Sequence, residues 1–288
     1  MNAEGERRTT KSGPPRASEA SGESPSSSSI HPSSFILHPS SLTSCRLLID
    51  APASGAWNMA VDEVLMEWSA GTGGCALRFY RWQEPTLSLG YFQAYEDRKR
   101  HAASLECPVV RRTSGGGAIL HDAEWTYSVV VPLGDRLAAG RLFLYQIIHT
   151  TLIEVLRERG VAASLCEGSG GNMTGRLPFL CFQRRAPGDV LVGRTKVAGS
   201  AQRRSSGAVL QHGSVLMARS PAAPELDGLN DLMETPIEPG PLIDAWREKL
   251  GRGLALTWKK QPLSASERRS TADLVEAKFG AEAWIRCR

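Results

Sequence analysis

Apolar positions along this chain follow two different periods, and the changes between them outline the elements. Short β-branched and aromatic runs at residues 46–49, 76–82, 86–90 and 125–131 read as strands, the second and third joined across Glu84-Pro85. Helical spacing governs residues 56–69, where Val61, Val64, Leu65 and Trp68 share one face. The longest helix is expected over residues 136–159, ended by Gly160 where a left-handed cap is favoured. Short β-like runs follow at residues 161–165, 189–192, 197–201 and 209–217, and then two helices near residues 241–250 and 264–279. Strands joined by tight turns outnumber any βαβ units. The pattern therefore predicts a single α/β (α+β) domain over residues 45–288, with a large, mostly antiparallel or mixed sheet and flanking helices.

Residues 1–44 break this patterning. They are rich in Ser and Pro, carry His31-Pro32-Ser33-Ser34 and its near-copy His38-Pro39-Ser40-Ser41, and read as a disordered low-complexity tail that cannot build a core. Across all 288 residues the 41% apolar content is ample for a core. No run reaches the roughly 18 apolar residues of a membrane span, and the N-terminus lacks a secretory apolar region, so a cytoplasmic protein without a membrane partner is expected. The six cysteines lie far apart, with neither a C-x-x-C pair nor a His cluster at zinc spacing, which suggests no disulfide framework and no metal site. A net charge of +4 is too small to announce nucleic-acid binding, and no nucleic-acid partner is expected. Yet Arg111, Arg112, Arg184, Arg185, Arg194, Lys196, Arg203 and Arg204 crowd around the central motifs. Such a cluster reads either as a solvated face or as a dock for an acidic protein or an anionic cofactor arm.

Candidate chemistry sits in two stretches. Arg111-Arg112-Thr113-Ser114-Gly115-Gly116-Gly117-Ala118-Ile119-Leu120-His121-Asp122 places three consecutive glycines between strand-like runs. Glycine lets a backbone approach a ligand closely, so the loop is either a tight connection or a main-chain cradle for an acyl carbonyl or phosphate. Downstream, Cys181-Phe182-Gln183-Arg184-Arg185 precedes Lys196-Val197-Ala198-Gly199-Ser200-Ala201-Gln202. Lys196 is expected to point from a strand edge, as an ordinary solvated lysine or beside a narrow slot lined by Gly199, Ser200 and Ala201. A thiolate is the nucleophilic form of cysteine and a nearby ammonium favours that charge, so a Cys beside a Lys can accept an acyl group. Such a pair permits ping-pong transfer from a thioester to an amine, a downhill reaction that needs no ATP. Backbone N–H groups near the glycine loop or Gly199 would stabilise the oxyanion. His121 and His212 read as general bases or as structural hydrogen bonders, His121 more readily ordering the glycine loop. Trp82, Trp125 and Tyr127 read as core or slot wall, and Arg184 and Arg185 as docking or idle surface charges.

Four ordered segments carry a resemblance: Trp82–Gln93, Arg111–Asp122, Lys196–Gln202 and Leu210–Ser214. Over roughly residues 45–288 the chain resembles the lipoate-protein ligase and octanoyltransferase superfamily, which shares its catalytic domain with biotin protein ligases. The resemblance implies a class II synthetase-like catalytic domain. It implies that Arg112, Ser114, Gly115, Gly116, Gly117 and His121 wall an acyl tunnel, with Gly199, Ser200 and Ala201 opposite. Lys196 matches the lysine that contacts the acyl carbonyl region. Cys181-Phe182, followed by a lysine fifteen positions later, is similar to the octanoyltransferases that work through an acyl-cysteine, with Cys181 as nucleophile and Lys196 as its activator. The implied donor is octanoyl-acyl carrier protein. The implied acceptor is a lysine of a lipoyl domain, such as the glycine-cleavage H protein or a 2-oxoacid dehydrogenase E2. No metal or organic cofactor is implied. Two other readings stay open: an ATP-dependent lipoate-protein ligase using ATP and Mg, and a non-catalytic acyl- or carrier-binding protein. The biotin-ligase Gly-Arg-Gly-Arg-type loop is missing, and Ala186-Pro187-Gly188-Asp189 stands where many relatives show Ser-x-Tyr-Glu.

Overall fold

The computed structural model describes residues 42–140, 142–168 and 177–288. The low-complexity tail, up to residue 41, lies outside the described residues. The remaining chain forms strands β1 (Ser44–Ile49), β2 (Ala76–Tyr80), β3 (Thr86–Leu89), β4 (Val109–Arg111), β5 (Ile119–His121), β6 (Glu124–Pro132), β7 (Ala163–Leu165), β8 (Val190–Val192), β9 (Thr195–Ser205), β10 (Ala208–Leu216) and β11 (Thr257–Lys260). The helices are α1 (Gly55–Thr72), α2 (Phe143–Arg157), α3 (Pro239–Leu254), α4 (Ala265–Leu274) and α5 (Glu282–Ile285). Among the described residues eight strands form one mixed sheet in the order β11-β1-β2-β6-β10-β9-β8-β7. A second, three-stranded sheet runs β4-β3-β5.

Alternation along the strands explains the layering. Val129 and Val131 point to one face of β6 and Val130 to the other, as a period of two requires. On the first face, Leu77, Phe79 and Val209 pack beneath α2 (Ile148, Leu152, Leu156) and α3 (Leu242, Trp246, Leu250). On the second, Leu48, Ala76 and Leu210 pack against Val61, Leu65 and Met66 of α1. Helix α1 is capped by Ser54, whose hydroxyl accepts the Trp57 amide and supplies the partner that such an N-terminus lacks from its own turn.

Several boundaries differ from the sequence reading. The helix expected over residues 136–159 is confined to Phe143–Arg157; a 3-10 turn over Arg136–Ala138 precedes it, and Gly140 breaks the run at a φ of 80°. Residue 141, inside that expected helix, lies outside the described residues. Residues joined across Glu84-Pro85 do not form a hairpin, because β2 belongs to the large sheet and β3 to the small one. Strand β9 extends well past the expected 197–201, and the last long helix changes to a π-helical turn at Val275–Phe279. Strand β11 and helix α5 had no counterpart in the pattern. The charged, exposed Thr257-Trp258-Lys259-Lys260 forms an edge strand paired in parallel with β1. Among the described residues no helix is long and apolar enough to cross a membrane.

Candidate active site

The glycine loop is built around a buried arginine. Arg112 is 3% exposed, and its Nη1 donates to the Ser88 carbonyl at 2.9 Å while Nη2 donates to the carbonyls of Gly115 (3.0 Å) and Gly117 (2.6 Å). Among the described residues, the amides of Gly115, Gly116 and Gly117 make no hydrogen bond. The loop thus spends its carbonyls on Arg112 and keeps donors in reserve. Burial pushes the Arg112 guanidinium down to about 10, partly offset by the neighbouring Cys181. Gly90 lies so close beneath the loop that a Cβ there would meet the Gly116 carbonyl oxygen at 2.1 Å.

Cys181 is delivered to this loop by a backbone bridge. Ala118 and Leu180 pair, with the Cys181 amide donating to the Ala118 carbonyl at 2.7 Å, and Cys181 then opens a 3-10 turn. Arg184 Nε donates to the Pro178 carbonyl at 2.7 Å and so ties the turn to the segment before it. Lys196 comes from the other direction, on β9. Val190 pairs with Ala198 and Leu191 with Lys196, so Val197 has no partner across the strands; this irregularity is of the bulge type that re-aims a side chain. Lys196 is not an edge residue. It is 6% exposed, with Nζ 3.8 Å from Cys181 Sγ, 2.8 Å from Asp189 Oδ2 and 5.2 Å from the Phe182 ring centre.

Asp189 holds this ammonium from a fixed position. It is 1% exposed; its Oδ2 also accepts the Ala186 amide at 2.8 Å and its Oδ1 accepts the Tyr145 hydroxyl at 3.0 Å. The ammonium passes directly over Gly199. A Cβ at that position would lie 2.5 Å from Lys196 Cε, 2.8 Å from Nζ and 3.0 Å from Asp189 Oδ1. A buried charge needs a partner, and here the carboxylate is that partner while the sulfur occupies the ammonium's other side.

This pair lines a cleft of about 530 Å³, measured out to its open mouth. Cys181, Lys196, Arg112, Gly115, Gly116 and His121 line it, with Gly199, Ser200 and Ala201 on the β9 wall. Ser114 and Gly117 are not on its surface. The Ser114 hydroxyl meets His212 Nε2 at 2.5 Å, and a Cβ at Gly117 would face the Arg184 guanidinium. Sequence reasoning did not single out Met59, Tyr80, Ile119, Thr126 or Ser214, which also line the cleft; they come from five elements whose proximity only the fold supplies. Nor did it find Asp189, although the β8–β9 hairpin brings residues 189 and 196 to one end and the turn glycine at 193 signals that hairpin.

Polar side chains behind the cleft fix its walls. His121 stacks on Trp82 at 3.8 Å between centroids, with Nε2 2.7 Å from Ser88 Oγ and Nδ1 2.5 Å from Glu124 Oε1. Burial lowers the His121 imidazole against the opposing pull of Glu124. Since Ser88 Oγ also accepts from Arg112, His121 is coupled to the glycine loop through one hydroxyl. His212 Nδ1 faces Asp62 at 3.4 Å. Burial alone would raise the Asp62 carboxyl, but His212, Arg78 and Ser128 outweigh it and hold it below its ordinary value. Under the β9 wall, His149 donates from Nδ1 to the Gly188 carbonyl at 2.6 Å, which leaves Nε2 to accept the Ser200 hydroxyl at 2.6 Å. Burial drives that imidazole down to about 4, so it is neutral at pH 7.

Several members of the arginine cluster are internal ties. Arg111 is fully buried and donates to the carbonyls of Gly90, Gln93 and Ile285; Arg203 holds the Thr113 carbonyl and Arg204 those of Ala138 and Gly140. Arg185 and Arg194 engage no partner among the described residues. Chemically, the arrangement offers a thiol beside two cations, with unused amide donors of Gly115 and Gly116 on the same cleft.

The family model described as the lipoyl protein ligase A/B catalytic domain matches residues 54–229. The chain is 33% identical over 274 residues to the octanoyltransferase LipM of Symbiobacterium thermophilum, covering 84% of this chain and 98% of that protein. It is 34% identical over 267 residues to the octanoyltransferase LipM of Kyrpidia tusciae, covering 83% and 97%. Among solved structures, the fold is similar to a lipoate-protein ligase A bound with ATP (TM-score 0.66, 21% identity, 84% of this chain and 98% of that one). It is also similar to a bi-partite lipoate protein ligase of Thermoplasma acidophilum (TM-score 0.65, 20% identity, 85% and 96%).

Proposed function

Since this chain belongs to the lipoyl protein ligase A/B catalytic-domain family, we propose that it transfers an octanoyl group from octanoyl-acyl carrier protein to a lysine of a lipoyl domain, with Cys181 as the relay. The observation that carries the relay is the 3.8 Å approach of Lys196 Nζ to Cys181 Sγ in the wall of the cleft. In the first step the sulfur bonds to the thioester carbonyl carbon, the carbon–sulfur bond to the carrier breaks, and the thiol proton leaves with the carrier's thiol. In the second, the acceptor amine bonds to that carbon, the Cys181 carbon–sulfur bond breaks, and the proton shed by the amine restores the thiol. Lys196 and Arg112 place positive charge beside the sulfur on which negative charge collects, and Asp189 keeps Lys196 aimed. The free amides of the glycine loop are the candidate oxyanion donors, each commonly worth about 3 kcal/mol. No step calls for a metal or organic cofactor.

Mixing the protein with octanoyl-acyl carrier protein and weighing it intact tests this reading. A single octanoyl adduct, removed by hydroxylamine and absent from Cys181→Ala, is the expected result. Undiminished transfer to a lipoyl domain by Cys181→Ala overturns the covalent route. A requirement for ATP and free acid would assign the cleft to ligation instead.

A further inference from the structure

Behind the reactive pair lies a second depression that the acyl cleft does not use. Lys196 and Phe182 line both, so the groove and the cleft meet at the sulfur's charged partner. Arg185, Arg194 and Thr195 line the groove, as do Glu225 and Asp227. These acids are already committed: Glu225 lies 2.8 Å from His101 Nε2 and accepts Gln183 Nε2 at 3.4 Å, and Asp227 pairs with Arg219. The two arginines are not. Neither makes a hydrogen bond or ion pair among the described residues, in a protein whose other central arginines are bound to carbonyls or carboxylates. Arg194 is held at the tip of the β8–β9 turn, after Gly193 with its φ of 58°, and Arg185 follows the cysteine turn on the other strand of chain.

A thioester delivered to Cys181 has two arms. The acyl chain occupies the cleft, and the thiol arm must leave by another route while its carbonyl stays at the sulfur. We infer that the groove takes this arm, and that Arg185 and Arg194 bind a phosphodiester or phosphomonoester on it, as in a phosphopantetheine thioester. Guanidinium groups suit this recognition because their planar donor forks match phosphate oxygens. This inference rests on the acyl-enzyme reading and adds to it the donor's anionic handle. It predicts that the enzyme distinguishes donors by their phosphate, independently of any carrier protein.

Three octanoyl donors separate the possibilities: octanoyl-pantetheine, octanoyl-phosphopantetheine and octanoyl-acyl carrier protein, each read by the rate of adduct formation on Cys181 against donor concentration. The wild-type protein is expected to half-saturate at a concentration at least tenfold lower with octanoyl-phosphopantetheine than with octanoyl-pantetheine. The preference should shrink at high salt, and R185A/R194A should reduce it below twofold. Equal half-saturation in the wild type, or a preference that survives in R185A/R194A, overturns the inference. A defect of R185A/R194A confined to the protein-borne donor also overturns it, because the arginines would then read acidic side chains of the carrier. Adducts from none of the three donors would overturn the acyl-enzyme reading together with the inference built on it.

Discussion

Gly199→Ala isolates the geometry of the reactive pair from the stability of the fold. The new Cβ would sit 2.5 Å from Lys196 Cε and 2.8 Å from Nζ, whereas carbon atoms in contact prefer about 3.5–4.0 Å. What must give is the far end of a flexible side chain, so the lysine moves and the strand stays. The same methyl comes within 3.0 Å of Asp189 Oδ1, wedging the ammonium away from the carboxylate that aims it. If a retreat of about 1.5 Å lengthens the 3.8 Å separation from Sγ to about 5.3 Å, the attraction to a thiolate at an effective dielectric of about 20 falls from about 4.4 to about 3.1 kcal/mol. A loss of about 1.2 kcal/mol corresponds to a nearly tenfold slower acylation. The assay is a quenched time course of octanoyl adduct formation, with Lys196→Ala as the lower bound and thermal unfolding as the control. Gly199→Ala should fall between wild type and Lys196→Ala while its Tm stays near wild type. Wild-type acylation in Gly199→Ala, with Lys196→Ala slow, would refute the reasoning that the ammonium acts from the position seen here.

Three other perturbations probe neighbouring parts. Asp189→Asn leaves a buried ammonium without its carboxylate, so stability should fall by about 3 kcal/mol in denaturant titration and acylation should slow at least tenfold; an unaltered rate would remove Asp189 from the positioning role. Gly90→Ala drives a Cβ into a backbone oxygen 2.1 Å away that cannot swing aside, so it should cost about 1–3 kcal/mol of stability, in contrast to Gly199→Ala. His149 takes up a proton near pH 6.5 when unfolded but only near 4 when folded, because burial penalises its charged form. Its contribution is therefore complete above about pH 6.5 and lost as the pH falls toward 4, up to about 3 kcal/mol over that window. His149→Gln should flatten that part of the stability profile, and an unchanged slope would assign the acid sensitivity to other groups.

Features whose cause is local were legible in the sequence. The unbroken apolar run Val129-Val130-Val131 fits a strand buried on both faces, and Val61 and Leu65 mark the inner face of α1. Gly115 and Gly116 of the triple glycine, and the Cys181 to Lys196 spacing, pointed to residues that the fold brings to one cleft. Features set by tertiary context were not legible. Gly140 is tolerated within a helical pattern on paper, yet in the structure its positive φ separates a 3-10 turn from α2. Thr257-Trp258-Lys259-Lys260 has no apolar alternation because an edge strand needs little, and its existence depends on β1 offering a free side. The arginine cluster looked like surface because charge patterning carries no burial signal; Arg111 and Arg112 are inside because the irregular backbone around residues 90–93 and 115–117 presents carbonyls that need donors. Arg184, read as a docking or idle surface charge, also ties the cysteine turn to the Pro178 carbonyl. Asp189 was hidden in a segment that departs from the familiar pattern, and only the Lys196 contact reveals its use.

The most direct test follows the acyl group off the enzyme. Protein octanoylated by its carrier-bound donor is freed of that donor by gel filtration, then mixed with an unmodified lipoyl domain in the absence of nucleotide. Peptide mass spectrometry before and after mixing should show octanoyl leaving Cys181 and arriving on the lipoyl-domain lysine in equal amount. Octanoyl that stays on Cys181 while fresh donor still modifies the lipoyl domain would contradict a relay through that sulfur.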